Sequence, residues 1–287
     1  MAPPATDTGR VKAQLAKTRA TLATAGIPLP WLDAEILLAH VLRTSRERLH
    51  SHPDQKLTVA QRARLRRLTN RRAARVPVPY LIGEREFFGH MFLVTPAVLV
   101  PRPSSELLVE LAIDWLKAHP EARRVIDLGT GSGAVAISVA KAIPDVRIEA
   151  RDVSGPALRV ADRNIARHRL IRRVITVRAD LLRGASPADV ILANLPYIPD
   201  ALRRVRPKEL DYEPALALDG GKDGLDLIRT ALAQAPAVLE PGGVVLFECD
   251  PAQTRRIMRL AQGHWPAADV SVHKDLAGQD RVVRIQT

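Results

Sequence analysis

The chain has 287 residues, 46% of them hydrophobic and 3% aromatic, which bounds it to one large domain, or one plus a small second, around an aliphatic core and excludes a disordered chain. A single cysteine, Cys249, excludes an intrachain disulfide and a cysteine metal cluster, and no apolar run reaches the roughly 18 residues of a membrane span. The net charge of +12 is uneven: residues 1–75 hold fifteen Lys or Arg against five Asp or Glu, and the rest is close to neutral.

The first 75 residues read as helices. Val11, Leu15 and Leu22 recur at helical spacing, and Trp31 to Leu42 is a second apolar stripe. A third helix opens at Thr58, where Thr58 and Gln61 have the spacing of a capping box. Leu65 and Leu68 face inward there, and arginines cover the rest. Val76-Pro77-Val78-Pro79 stops that helix, because proline removes a donor and restricts the residue before it. The reading is therefore a small helical domain over 1–76, a linker and β-hairpin over 77–100, and a larger domain over 101–287. The N-terminus shows no basic region followed by an apolar stretch, so no secretory signal is expected. The hairpin is GEREFF, a turn at Gly89-His90, then MFLVTP. Pro101-Arg102-Pro103 ends it, and a helix follows with Leu107, Leu108, Leu111 and Ile113 on its apolar side.

From Arg124 onward short apolar strands alternate with helices. RVIDLG, VRIEAR, VITVRAD, DVILANL and GVVLFECD read as strands, separated by helices such as GAVAISVAKAI and GPALRVADRNIARH. VSVHKD and RVVRIQ are two more strands. This alternation predicts a parallel, doubly wound α/β sheet with helices on both faces. Ligands in such sheets sit beyond the carboxyl ends of the strands, at the switch point.

The candidate residues fall at those ends. Asp127, Gly129, Thr130, Gly131, Ser132 and Gly133 close one strand and open a helix. The glycines allow a tight turn and close approach of a ligand to the backbone. The pattern is G-x-G-x-G, with Asp127 two positions before the first glycine. A pyrophosphate would be repelled by that carboxylate, whereas a zwitterionic amino-acid portion tolerates it. A dinucleotide site and a plain turn remain alternatives at this point. Asp152 ends the next strand, where a carboxylate can accept both hydroxyl protons of a ribose. Asp180 ends the third and can bond an adenine amino group, with Leu181 offering backbone and an apolar face.

The fourth strand ends in Asn194-Leu195-Pro196-Tyr197. A delocalised amide or aromatic amino nitrogen is a poor nucleophile, so methyl transfer to it needs its lone pair aligned with the breaking bond. The Asn194 side-chain oxygen and the Leu195 carbonyl can hold the two NH2 hydrogens, and preorganised dipoles can stabilise the developing charge. Tyr197 can lie on the flat target and add cation–π attraction. An amide and an adenine amino group both satisfy this arrangement.

With these motifs in place, the sequence resembles the HemK/PrmC family, protein-(glutamine-N5) methyltransferases that act on class I peptide chain release factors. The resemblance covers nearly the whole chain: DAEILLAHVL, PYLIGEREFFG, LVPRPSSE, VIDLGTGSGAVAI, ANLPYIP and EPALALDGGKDGLD. It implies a class I, Rossmann-like sheet dependent on S-adenosylmethionine, behind an N-terminal helical domain that recognises the substrate. It implies cofactor contacts from Gly129, Gly131, Gly133, Asp152, Leu181 and Asn194, and a grip on the glutamine from Asn194 through Tyr197. Phe88 and Arg102, in the hairpin and the Pro-Arg-Pro segment, are expected on the substrate wall. Two positions depart from the family: Leu195 stands where proline is usual, and Ser104 where an acidic residue is usual. Only the carbonyl of Leu195 is required, and Pro196 already biases that residue to extended backbone. The form N-L-P-Y also occurs in rRNA adenine dimethyltransferases, which lack the PYLIGEREFFG and Pro-Arg-Pro segments. An adenine-N6 methyltransferase of RNA or DNA, or a glutamine methyltransferase of a ribosomal protein, is the alternative.

Arg62, Arg64, Arg66, Arg67, Arg71, Arg72 and Arg75 could meet an acidic release-factor surface, phosphates, or only solvent. No aromatic residue interleaves with them, which argues against base stacking and a nucleic-acid partner. His40, His50, His52 and His90 show no metal spacing, and no metal is expected. The chain is expected to be a cytoplasmic monomer without membrane contact.

Overall fold

The apolar stripes near the N-terminus fold as α1 (Val11–Thr24) and α2 (Pro30–Leu42). In this computed structural model, residues 9–202, 205 and 207–287 are described; the leader reading rests in part on residues 1–8, outside them. A short α3 (Arg46–Ser51), capped by Ser45, follows, then α4 (Val59–Ala73) and α5 (Val78–Ile82). The Thr58–Gln61 capping box is formed: the Gln61 amide donates to Thr58 Oγ1 at 3.2 Å, and the Thr58 amide donates to Gln61 Oε1 at 2.8 Å. Leu37, Leu38, Leu49, Leu65 and Leu68 pack into one aliphatic core. The expected linker at 76–79 is instead part of this unit. Pro79 sits in the first turn of α5, where a missing N–H costs nothing, and Val76 and Leu81 are buried in the same core. The unit accordingly runs to Gly83.

The second unit spans 84–287. It opens with the hairpin β1 (Glu84–Phe87) and β2 (His90–Leu93). Phe87 pairs with His90, so the two-residue turn is Phe88-Gly89, one position earlier than expected. Both turn residues have positive φ, +49° and +70°, as a hairpin turn matching strand twist requires. Next come α6 (Glu106–Ala118), β3 (Arg124–Leu128), α7 (Ala134–Ala142), β4 (Arg147–Asp152), α8 (Gly155–Arg167), β5 (Val174–Arg178) and β6 (Ala188–Ala193). The chain ends with α9 (Asp226–Gln234), β7 (Leu239–Glu248), α10 (Thr254–His264), β8 (Asp269–Lys274) and β9 (Asp280–Gln286).

Seven strands form one sheet in the order β5-β4-β3-β6-β7-β9-β8. Strands β3 to β7 are parallel, as the alternation predicts, but β9 runs antiparallel to β7 and β8 antiparallel to β9. For β8 and β9 the reason is local. Asp275 Oδ1 accepts from the amides of Ala277 and Gln279 at 3.0 Å each, closing a short turn that permits only an antiparallel pair. Apolar side chains fill both faces: Val125 and Leu192 lie in one core, and Ile126, Leu128 and Ile191 in the other. The strand order reverses at β3, with β4 on one side and β6 on the other, so the carboxyl ends of these strands open at a switch point. Among the described residues no helix is long and apolar enough to cross a membrane.

Candidate active site

A cleft of about 440 Å³ lies at that switch point, lined by Gly129, Gly131, Asp152, Asp180, Leu181, Asn194, Leu195 and Pro196, with Val98, Leu99 and Leu216 among its apolar walls. A smaller hollow lined by Phe87, Arg102, Ser105, Asp127, Thr130 and Ser132 shares Leu99, Gly129, Gly131 and Asn194 with it. The glycine loop is shaped by its neighbours. A Cβ on Gly129, whose φ is +67°, would lie 3.3 Å from Leu195 Cδ2 and 3.6 Å from the Asn194 carbonyl. Gly133, at φ +80°, caps α7 against Ile137 and Ala161.

Asp152 holds this loop from the next strand. Its Oδ2 accepts from the Gly131 amide at 3.0 Å and its Oδ1 from the Ser154 amide at 2.8 Å. Burial pushes its pKa up, opposed by those amides, and each oxygen keeps a lone pair for a further donor. Asp127 is almost fully buried and accepts from Thr130 Oγ1 at 2.7 Å. Burial pushes its pKa up to about 7, against the Thr130 hydroxyl. The Asp180–Leu181 rim is set by a residue that the sequence reading did not single out. Arg151, buried on β4, donates from Nε to the Leu181 carbonyl at 2.9 Å and from Nη2 to the Arg183 carbonyl at 2.7 Å, and pairs with Glu149 at 2.6 Å. Leu181 itself takes a positive φ of +49°.

Asn194 lies where the cleft and the hollow meet. Its Nδ2 donates to Ser105 Oγ at 2.9 Å, and the residue lines both the cleft and the hollow. Leu195 is buried, its side chain in the core beneath the loop. The backbone beyond it is clamped. Gln253 Nε2 donates to the carbonyls of Tyr197, Asp223 and Gly224 at 2.9, 3.2 and 3.3 Å. The Ile198 amide donates to the Leu218 carbonyl, and the Gly220 amide to the Ile198 carbonyl, both at 3.0 Å.

Two expected site residues, Phe88 and Tyr197, lie outside the lining of the cleft and the hollow, while Arg102 lines the hollow. Phe88 occupies the hairpin turn, where its amide donates to Glu106 Oε1 at 2.9 Å, and its neighbour Phe87 lines the hollow instead. Arg102 pairs with the buried Glu213 at 2.5 Å while Glu213 Oε2 accepts from the Val100 amide at 3.0 Å, tying the Pro-Arg-Pro segment to the loop after Tyr197. Tyr197 does not line the cleft; burial, then the nearby Glu248 carboxyl, raises its pKa. Glu248 closes β7, is fully buried, and accepts from Ser104 Oγ at 3.2 Å. A charged residue closing the apolar run VVLF was the one signal for it. Among the described residues no three His, Cys, Asp or Glu side chains converge as a metal site would.

Comparison with known proteins follows the same division. The family profile described as "PrmC N-terminal domain" matches residues 14–83, and "Methyltransferase small domain" matches residues 103–205. The release factor glutamine methyltransferase of Moorella thermoacetica is 40% identical over 91% of this chain and 92% of its own length. The chain belongs to the release factor glutamine methyltransferase family. A second member, from Deinococcus radiodurans, is 39% identical over 94% of this chain and 96% of its own. The crystal structure of the hMettl16 catalytic domain, in complex with a 3′UTR hairpin, overlays with a TM-score of 0.57 at 14% identity, covering 82% of this chain and 84% of that one; this likeness is one of fold. The family's methyltransferase sheet is thus the sheet described above, with its mostly parallel strands.

Proposed function

We propose that the chain transfers a methyl group from S-adenosylmethionine to the side-chain amide nitrogen (N5) of the glutamine in the Gly-Gly-Gln motif of class I release factors, in the cytoplasm. Membership of the release factor glutamine methyltransferase family supports the substrate. The observation that supports the chemistry is that Asn194 lines the cleft with its NH2 engaged by Ser105, which in this reading leaves its carbonyl as the acceptor for the target.

The cleft fits the cofactor. In the Gly129–Gly133 loop a Cβ on Gly129 or Gly133 would crowd Leu195 or Ile137, so the backbone there lies open to a ligand, and carboxylates stand on either side of it. Asp152 would take the ribose hydroxyls on its remaining lone pairs, Asp127 would face the amino-acid end, and Asp180 and Leu181 the adenine. S-adenosylmethionine supplies an electrophilic methyl on a sulfonium. Asn194 Oδ1 and the Leu195 carbonyl accept the two amide hydrogens and turn the nitrogen lone pair toward that methyl. The amide nitrogen held by these two carbonyls would take that methyl as the sulfonium's C–S bond gives way to a neutral thioether, and would then lose its extra proton to solvent. No general base is needed before transfer. The two carbonyl dipoles stabilise the positive charge that grows on nitrogen.

The test is incubation with labelled cofactor and a class I release factor, beside the same factor with its Gly-Gly-Gln glutamine replaced. Mass spectrometry should place one added methyl on that glutamine, and Asn194→Ala should lower kcat by about 100-fold. Label on an adenine of RNA or DNA, and none on the protein, would overturn the reading.

A further inference from the structure

Beyond Ala193 the chain leaves the sheet: the β6–β7 ladder ends at Ala193 and Phe247, and strand-like pairing resumes at the bridge between Ile198 and Asp219. The tetrapeptide Asn194-Leu195-Pro196-Tyr197 lies between, and Pro196 has no N–H by which it could be held. The Tyr197 carbonyl accepts at 2.9 Å from Nε2 of Gln253, a buried residue 56 positions away. The same NH2 reaches the carbonyls of Asp223 and Gly224 at 3.2 and 3.3 Å. The other end of this amide has a different task. Gln253 Oε1 accepts from the Asp250 amide at 3.1 Å, the side-chain half of a capping box in the turn before α10. An N–H on one side and three carbonyls on the other leave the amide a single orientation. Glutamate serves a capping box as well as glutamine does, and a carboxylate suits a helix N-terminus better than a neutral amide. The cap therefore does not account for glutamine at this position. The three carbonyls do, because of the two side chains only the amide offers them hydrogens.

We propose that Gln253 is a positioning residue for methyl transfer: by holding the Tyr197 carbonyl to the loop at Asp223 and Gly224, it fixes the aim of the Leu195 carbonyl at the target nitrogen. The inference deepens the proposed function and rests on its reading of Asn194 and Leu195. The lever is short and stiff. Proline fixes its own φ at about −65° and biases the residue before it to extended backbone, so little freedom remains between Leu195 and Tyr197. A constraint on the Tyr197 carbonyl is thereby felt two residues upstream, at the carbonyl that meets the substrate. Without it, Asn194 Oδ1 and the Leu195 carbonyl lose their common geometry, on which alignment of the nitrogen lone pair depends. Asp152 closes β4 and Leu181 follows β5, so the cofactor side of the cleft should not feel the change.

The experiment compares Gln253→Glu, Gln253→Leu and Asn194→Ala, measuring kcat on a class I release factor between pH 6 and pH 9, S-adenosylhomocysteine affinity and Tm. Gln253→Glu keeps the acceptor for the Asp250 amide but turns a carboxylate toward three carbonyls. At pH 9 it should lower kcat by at least about tenfold while leaving cofactor affinity within about twofold. Burial among carbonyls raises the pKa of such a carboxyl, and once protonated it donates an O–H where the amide donated an N–H. The ratio of its kcat to wild type should therefore climb as pH falls toward 6. Gln253→Leu offers no donor at any pH, so its loss of kcat should stand in a constant ratio to wild type. A role in folding alone would lower Tm without this pH-dependent recovery. Wild-type kcat in Gln253→Leu would overturn the proposal, as would a loss in Gln253→Glu that does not ease with acid, or losses that fall equally on cofactor affinity. If Gln253→Glu does not fold, Gln253→Leu decides by the split between kcat and cofactor affinity. Should Asn194→Ala keep its kcat, the site reading itself fails; should Asn194→Ala be inactive and Gln253→Leu fully active, only the clamp fails.

Discussion

Asp127 carries a burial cost that the Thr130 hydroxyl offsets only in part. Its carboxyl is almost fully buried, with the Thr130 hydroxyl at 2.7 Å, and burial pushes its pKa up to about 7 from 3.8. The sign of the consequence follows from linkage. A carboxyl whose folded-state pKa is raised contributes stability that is present below pH 3.8 and is lost as pH rises toward about 7. Without ligand, the protein should therefore melt at a lower temperature at pH 8 than at pH 6, and Asp127→Asn should remove most of that difference. A cationic ammonium on the amino-acid end of the cofactor reverses the balance, because it favours the ionised carboxyl. Below the raised pKa, binding must expel a proton, so affinity should climb with pH until about 7 and then level off. Calorimetric titration with S-adenosylhomocysteine at pH 6 and pH 8 reads this directly. A pH-independent affinity, identical in Asp127→Asn, would show that Asp127 does not meet the ammonium.

At the scale of elements, the catalytic tetrapeptide is held by a loop that must come very close to it. A Cβ on Gly224, at φ +78°, would lie 2.2 Å from the Tyr197 carbonyl and 2.3 Å from Gln253 Nε2. A Cβ on Gly220 would lie 2.8 Å from the Pro196 carbonyl. Gly184 has a similar φ of +68° but open space around it. Gly184→Ala should therefore cost only the left-handed backbone, about 1–2 kcal/mol, with normal turnover. Gly224→Ala should displace Tyr197 and lower kcat far more than cofactor affinity. Equal effects of the two substitutions on kcat would show that the loop does not support the site. The comparison also shows which structure was legible in sequence. The Thr58–Gln61 cap, the β3–α7 glycine turn and the strand ends at Asp152 and Asn194 are encoded within a few residues, and they stand where the sequence placed them. The contacts that hold the site are not local. Ser104 and Glu248 are 144 positions apart, Arg102 and Glu213 are 111, and Gln253 and Tyr197 are 56. Periodicity and spacing carry no information about such pairs. For the same reason α5 reads as a linker in sequence: Pro77 and Pro79 announce a break, and only the burial of Val76 and Leu81 shows a helix packed into a core.

For the molecule as a whole, the excess charge is concentrated in the N-terminal unit, but the structure reduces the share of it that can meet a partner. Of the seven arginines between Arg62 and Arg75, four reach internal acceptors. Arg62 donates to the Leu57 carbonyl at 2.8 Å, Arg64 contacts His40 at 2.8 Å, Arg72 pairs with Asp33 at 2.7 Å, and Arg75 donates to the Gly26 carbonyl at 2.9 Å. Arg66, Arg67 and Arg71 remain exposed on α4. Arg66 also lines a groove between α1 and α4 that holds Lys17. Four of the arginines are thus part of the architecture, and a reversal of all seven would unfold the unit before it tested recognition. Reversal of the exposed three, Arg66→Glu with Arg67→Glu and Arg71→Glu, should leave Tm and S-adenosylhomocysteine affinity close to wild type. If this face meets an acidic protein surface, the triple variant should raise KM for the release factor, and the ratio to wild type should shrink as salt screens exposed charges beyond about 10 Å at 0.1 M. Cofactor KM should not move, since these residues belong to the helical unit and not to the cleft. A release-factor KM that is unchanged by the reversal and flat with ionic strength would leave the three arginines as a solvated helix face, and substrate recognition would then rest on the catalytic unit alone.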